Sequence, residues 1–318
     1  MDPLTRLLDH PRAQNVFTLR VVMRDPWCLD LRDGSALTII VLTNGSAWLT
    51  SVTGSRQLLP GDVAVVRGPA PYRLGTQPDT EPIAVIHPGQ VCRSPAGVNL
   101  ELTMNHGINT WGNDPDGPHS MIVATYESAG EIGRLVAEAL PEVAYLAAGD
   151  VDTALVDLVA DRVTVGGIAQ SSLLDRLMDA LLISSVRAWL SAHPECTPGW
   201  INGSRDPVVG TALSAIHENP EHPWTIAGLA DRSHVSRATL AARFRQQVGV
   251  PPLTYLTRWR LTLASDMLAD PRLTLASIAR SVGYSSPFAF SAAFKKQFGA
   301  SPARYRQQRH QDRPAPPD

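Results

Sequence analysis

The sequence predicts a multidomain α+β chain: a β-barrel or jelly roll with helices after it, then an all-α region of two helix-turn-helix units joined by a long helix. Three observations carry that expectation. Short segments rich in β-branched and aromatic residues follow one another up to about residue 87. A helical stripe of leucines runs through residues 173–190. Two copies of one helical pattern, about fifty residues apart, occupy the C-terminal end.

The expected strands are Val16–Val22, Trp27–Leu31, Ala36–Leu42, Gly45–Val52, Val63–Arg67 and Ile83–His87. Asp25-Pro26, Asn44-Gly45, Pro60-Gly61-Asp62 and Pro-rich stretches separate them, all of them turn formers. Many short strands at this spacing suggest a barrel or a double-sheet jelly roll. Asn44-Gly45 predicts a hairpin, because this dipeptide accepts the positive φ of a two-residue turn. Leu155, Leu158, Val159 and Arg162 then have helical spacing until Val165-Gly166-Gly167 breaks it. From Ser171 onward, Leu173, Leu174, Leu177, Leu181, Leu182, Val186, Trp189 and Leu190 form one apolar stripe. Pro194 ends it, and Pro198-Gly199 with Gly203-Ser204 predict a loosened connection.

The first copy of the repeat runs from Leu229 through Phe244 to Gly249, Pro252 and Tyr255. The second runs from Ile278 through Phe294 to Gly299, Pro302 and Tyr305. From Leu240 and Phe290 onward the offset is 50, and before that it is 49, so one residue is gained inside a turn. That is one structural unit used twice. In the first unit, Ile226, Leu229 and Ala230 stripe a short helix. Ser236 offers an N-cap hydroxyl to the next, where Leu240, Phe244 and Val248 recur. In the second, Leu275, Ile278, Ala279 and Val282 precede a turn at Gly283, and Phe290, Phe294 and Phe298 repeat the stripe. Two helices joined by a tight turn, the second of them basic, are the helix-turn-helix pattern. Between the units, Leu253 to about Ala269 reads as a helix with Trp259, Leu263 and Met267 at helical spacing. At ~1.5 Å per residue it is roughly 25 Å long. With its end turns, such a strut suits two recognition helices about one DNA turn (~34 Å) apart.

Trp224-Thr-Ile-Ala-Gly-Leu-Ala, Ser236-Arg-Ala-Thr-Leu, Phe244-Arg, Gly249-Val-Pro-Pro, Tyr255-Leu-Thr-Arg-Trp-Arg and Ile278-Ala-Arg-Ser-Val-Gly-Tyr-Ser-Ser carry a family resemblance. Together with Phe290-Ser-Ala-Ala-Phe-Lys-Lys-Gln-Phe-Gly-Ala-Ser-Pro-Ala-Arg-Tyr-Arg306, they resemble an AraC/XylS-type transcription regulator over about residues 206–308. The resemblance implies double-stranded promoter DNA, a second copy of the chain and RNA polymerase as partners.

The helical wheel says which side chains face DNA. With Leu240 and Phe244 buried, the opposite face carries Ala238, Ala241, Ala242 and Arg245, with Arg237 at its edge. The second helix presents Phe288, Ser291, Ala292 and Lys295, with Pro287 beside them. These positions coincide with those the resemblance implies for base contacts. Ser236, Thr239, Ser286 and Lys296 complete the expected DNA-binding set. Where relatives often place long polar side chains, this chain has alanines and Phe288. Alanine can touch a thymine methyl but cannot make a bidentate bond to a base. Readout is therefore expected to lean on apolar contacts, flanking arginines and DNA shape. The plainer reading of each alanine is ordinary helix surface.

Charge supports this division. From Asp206 to the C-terminus, 14 Lys and Arg stand against 8 Asp and Glu, whereas the whole chain is at −2. A basic half joined to an acidic half is expected if only one half meets phosphate. The opening residues do not read as a charged-then-apolar leader, and runs such as Ala47-Trp-Leu are far below a membrane span. A cytoplasmic protein without a membrane partner is the expectation. Cys28, Cys92 and Cys196 are odd in number and form no CxxC pair, which points to neither a disulfide framework nor a zinc knuckle.

Leu59-Pro-Gly-Asp-Val-Ala-Val-Val-Arg-Gly-Pro-Ala-Pro-Tyr-Arg-Leu74 resembles the second motif of cupin domains. Asn44-Gly-Ser-Ala-Trp-Leu49 resembles the hairpin ending the first motif. The resemblance is to the cupin-type sensor domain found ahead of AraC-type DNA-binding units. Metal-holding cupins carry histidines where this chain has Thr38-Ile-Ile-Val-Leu42 and Tyr72. A divalent cation needs several converging N or O ligands, so no metal and no cofactor are expected. A small-molecule effector pocket is expected instead, lined by Trp27, Trp48 and Tyr72 with Arg20 or His87 as polar anchor. The plainer reading of Trp27 and Trp48 is that they simply fill the barrel.

The expected organisation is an effector-sensing domain over 1–150, a helical dimerisation segment and linker over 151–205, and a DNA-binding domain over 206–309. Its helix-turn-helix units fall at about 224–250 and 273–300, and a disordered tail follows over 310–318. The expected protein is a dimeric, effector-modulated, sequence-specific DNA-binding regulator and not an enzyme. The alternative is a metal-dependent cupin enzyme fused to a DNA-targeting domain.

Overall fold

The computed structural model describes residues 16–126, 137, 139–167, 169–194 and 199–311. The described residues divide between His193 and Pro194 into two compact units. The expected α+β class is observed, with the strands in the first unit and helices alone in the second.

The strands are β1 (Phe17–Met23), β2 (Cys28–Leu31), β3 (Leu37–Asn44), β4 (Ala47–Ser51), β5 (Gly54–Leu58), β6 (Val63–Arg67), β7 (Tyr72–Gly75), β8 (Ala84–His87), β9 (Val91–Arg93), β10 (Thr110–Gly112), β11 (His119–Tyr126) and β12 (Val143–Leu146). They form two six-stranded sheets, ordered β10-β1-β11-β3-β6-β12 and β5-β4-β7-β2-β8-β9. All six expected strands are present. The central strand β11, between β1 and β3, was not foreseen from the sequence. It is covered on both faces, so it has little alternation to read.

The facing sides of the sheets share one apolar core. Val21, Met23, Ile40, Leu42 and Met121 of the first sheet meet Leu29, Leu49, Leu58 and Leu74 of the second, with Trp27 just ahead of β2. Burying side chains of this size stabilises by roughly 1.5–3 kcal/mol each. The alternate residues of the first sheet, among them Val22, Ile39, Val41, Val65 and Ile122, are buried as well. Two helices cover that side: α1 (Thr153–Val163) packs on β1, and α2 (Gln170–Ala192) packs on β6 and β12. The leucine stripe is largely consumed there, because Leu174, Met178, Leu181, Val186, Trp189 and Leu190 are buried. Leu173 stays exposed and Leu177 half-buried.

Asn44-Gly45 is not a hairpin, which corrects the sequence expectation. β3 and β4 lie in different sheets, so this dipeptide turns a corner between them. Gly45 has φ +73°, and a Cβ on it would meet the Pro118 carbonyl oxygen at 2.7 Å. The hairpin joins β4 to β5 instead, with Ser51 opposite Gly54.

The second unit contains α3 (Gly199–Arg205), α4 (Pro207–Glu218), α5 (Ile226–Arg232), α6 (Arg237–Val248), α7 (Pro252–Met267), α8 (Leu275–Ser281), α9 (Pro287–Phe298) and α10 (Pro302–Gln311). The predicted loose connection at Gly199 and Gly203 is a helix. These glycines serve close packing: a Cβ on Gly199 would meet the Gln247 carbonyl at 2.6 Å, and one on Gly203 the Val248 side chain at 3.0 Å. The tail expected to be disordered begins inside α10, and residues 312–318 lie outside the described residues.

Candidate nucleic-acid interface

The two helix-turn-helix units are alike down to single hydrogen bonds. Thr225 and Thr274 cap α5 and α8 by accepting from the Gly228 and Ser277 N–H groups at 3.0 and 3.1 Å. The Ala230 and Ala279 carbonyls accept from the Val235 and Tyr284 N–H groups at 3.1 and 2.8 Å. Ser236 and Ser286 then cap α6 and α9. Gly249 and Gly299 end those helices at φ +84° and +74°, donating to the Arg245 and Lys295 carbonyls. Phe244 meets Tyr255 edge-on at 5.8 Å, and Phe294 meets Tyr305 at 5.3 Å. The gained residue is Ser285, which separates Tyr284 from the capping Ser286, whereas Val235 is followed directly by Ser236.

Burial sets the rotation of both second helices. Leu240, Phe244, Phe290 and Phe294 are fully buried. The opposite face of α6 is therefore turned to solvent: Arg237, Ala238, Ala242 and Arg245 are exposed and Ala241 is half-buried, while Ser236 and Thr239 are exposed at its start. On α9, Pro287, Phe288, Ala292, Lys295 and Lys296 are exposed, with Ser286 and Ser291 half-buried. Neither helix contains an Asp or Glu. Each presents a positive dipole end and basic side chains to whatever lies outside.

The strut α7 packs against α6 and against α8 and α9. Its 16 residues span about 24 Å. Arg260 on α7 donates from Nε and Nη2 to the Pro220 and His222 carbonyls at 2.6 and 2.8 Å, clamping the loop ahead of α5. Arg306 on α10 does the same ahead of α8, reaching the Leu268 and Leu273 carbonyls at 3.2 and 2.8 Å. Beside that loop, Arg272 forks onto Asp270 and holds its carboxyl down at about 2. His217 Nε2 lies 2.8 Å from the Tyr255 hydroxyl, whose pKa burial raises. These clamps leave no mark in the sequence. Thr225 and Thr274 were readable as caps ahead of apolar stripes, whereas the arginine–carbonyl contacts join residues 33–40 positions apart and leave no local pattern.

The five expected effector contacts do not converge. Trp27 and Tyr72 belong to the core between the sheets. Arg20 alternates with the inward-facing Leu19 and Val21, and so lies on the opposite side of the first sheet. Trp48 and His87 alternate with the inward-facing Leu49 and Ile86, on the outer side of the second sheet. Thr38 to Leu42 lie within β3, and no group of three or more His, Cys, Asp or Glu gathers in metal-holding fashion among the described residues. At the mouth of the sheets, His119 Nδ1 accepts from the Ser46 N–H at 3.1 Å, and its Nε2 faces Asp25 at 3.0 Å. Both ring nitrogens are thereby engaged.

Among the described residues no helix is long and apolar enough to cross a membrane. A family model described as Cupin matches residues 2–191, and one described as Helix-turn-helix domain matches residues 229–308. A protein of Streptomyces lividans described as an AraC-like transcription regulator is 31% identical over 312 residues, covering 96% of this chain and 98% of that protein. The HTH-type transcriptional regulator AlkR of Acinetobacter baylyi is 30% identical over 314 residues, 97% of this chain and 100% of its own length. The solved DNA-binding domain of AdpA, in complex with a target DNA, aligns with 35% of this chain and 99% of its own, at 32% identity and a TM-score of 0.33. With such relatives matched over nearly their whole length, the chain belongs to the AraC-like transcription regulators.

Proposed function

We propose that the protein binds promoter DNA sequence-specifically by laying α6 and α9 into the major groove. The observation that carries this reading is the duplicated unit whose outward faces are free of acid and bear Arg237, Arg245, Lys295 and Lys296. The four cations contact phosphate, while Ala238, Ala241, Ala242, Phe288, Ser291 and Ala292 face the bases. Ser236, Thr239, Ser286 and Pro287 sit at the helix starts, where a recognition helix meets DNA. Binding should fall steeply with salt, because each neutralised phosphate releases counterions. Lys295→Ala should weaken binding to all sequences alike and reduce the salt slope by about one unit. Ala242→Glu should abolish operator binding by setting a carboxylate against the groove. A folded protein with no salt-dependent shift on a genomic promoter pool would refute the reading.

In the same reading the protein acts in the cytoplasm as a homodimer together with RNA polymerase, and is a regulator rather than an enzyme. A small molecule bound by the first unit modulates promoter binding, by favouring one dimer arrangement over another. Exposed Leu173 and half-buried Leu177 on α2 support a seam between two copies. The Trp27 indole N–H, buried without a hydrogen-bond acceptor among the described residues, supports a polar guest between the sheets. Raised thermal stability with a candidate effector tests that part, since a ligand bound only by the folded state stabilises it.

A further inference from the structure

We infer that Phe288 is a specificity-determining residue that reads the C5-methyl group of a thymine. This rests on α9 entering DNA, and it names one feature of the sequence that helix selects. Phe288 is the second residue of α9, in the first turn, where the N-terminal residues of a recognition helix contact base edges. Its side chain is 88% exposed, whereas Phe290 and Phe294 on the same helix are fully buried. The backbone beneath the ring is held, because Pro287 precedes it and the Ser286 hydroxyl oxygen accepts the Phe288 N–H at 3.2 Å. One turn further, Ser291 and Ala292 are too small to cover the ring, and Lys295 follows on the same face.

The surroundings narrow the occupant. The helix carries Lys295 and Lys296 and no carboxylate, and its positive dipole end lies beside the ring. An apolar protein surface would match the ring but not these cations. What fits is a polyanion with an apolar spot. The major groove at a T·A pair offers both, phosphates along its rims and a methyl group on its floor. Cytosine lacks that methyl group, so the ring favours T over C at the position it covers.

The test starts from duplexes that the full-length protein enriches from a random library. Each thymine of the enriched site is then replaced in turn by deoxyuridine, which removes the methyl and leaves the pairing edge intact. The wild-type protein should lose about fivefold in affinity at one or two thymines, on the scale of one buried methyl and the ring area it covers. Phe288→Ala should bind thymine and uracil duplexes alike, with an unchanged Tm because the ring is exposed. Indifference of the wild type to every deoxyuridine would overturn the inference, as would a Phe288→Ala protein that keeps full methyl sensitivity. Failure to enrich any sequence would sink the DNA-binding reading and this inference together. Enrichment without methyl sensitivity would sink this inference alone.

Discussion

The two turns between paired helices make the same left-handed step with different residues, His234 at φ +54° and Gly283 at φ +82°. A Cβ on Gly283 would meet the Glu221 carbonyl oxygen at 2.6 Å and the Arg260 guanidinium at 2.7 Å, whereas His234 is exposed. Gly283→Ala should therefore cost about 2 kcal/mol or more, from left-handed strain and a displaced backbone. His234→Gly should cost nothing and gain up to ~1 kcal/mol, the relief offset by glycine entropy. Chemical denaturation measures both, and a Gly283→Ala protein as stable as its parent would show that the turn yields. Cys28 and Cys92 are buried, and burial raises both thiols, Cys92 to about 11. Thiolate is then scarce at neutral pH, so both should resist alkylation until the protein unfolds. Rapid labelling of either in the native protein, read site by site by mass spectrometry, would contradict this packing. Cys196 lies outside the described residues.

At the scale of elements, α2 changes what the leucine stripe means. Leu181 is fully buried within its own unit, so Leu181→Asp should unfold that unit at a cost above about 3 kcal/mol rather than simply part a dimer. Leu173→Asp is the selective probe of a seam, because Leu173 is 44% exposed. Sedimentation should show it dissociating with its fold intact, and an unchanged dimer would move the seam elsewhere. On the same helix, burial holds the Asp179 carboxyl up at about 6, against the pull of Arg176 at 3.3 Å. An unfolded Asp titrates near ~3.9, so the folded state binds the extra proton between those values. The favourable contribution is complete below about pH 4 and is lost as pH rises through about 6. Asp179→Asn should thus raise Tm at pH 7.5 and change it little at pH 4, and an equal shift at both would refute the burial argument. The helices were the most legible elements, because their 3.6-residue stripes and caps are local. Gly199 and Gly203 were misread because their reason, close approach to Gln247 and Val248, lies some 45 residues away. Asn44-Gly45 was misread for the same kind of cause, since its partners are Pro118 and His119.

Over the whole molecule, what the sequence made visible was the division of labour between a β-rich unit and a duplicated helical one. The exposed faces of α6 and α9 were legible because two buried rows, Leu240 with Phe244 and Phe290 with Phe294, orient everything else on those helices. The proposed effector contacts were not legible, because a one-residue change of register moves a strand side chain to the other face. Arg20, Trp48 and His87 sit on the faces away from the core that holds Trp27 and Tyr72. Both duplicated units should enter DNA together, and a footprint of the full-length protein on an enriched duplex checks this. Two protected major-groove segments about 10 base pairs apart on one face are expected. Ala242→Glu and Ala292→Glu should each erase both segments, because a carboxylate against either groove abolishes operator binding. A single protected segment, or two that neither substitution disturbs, would contradict the claim.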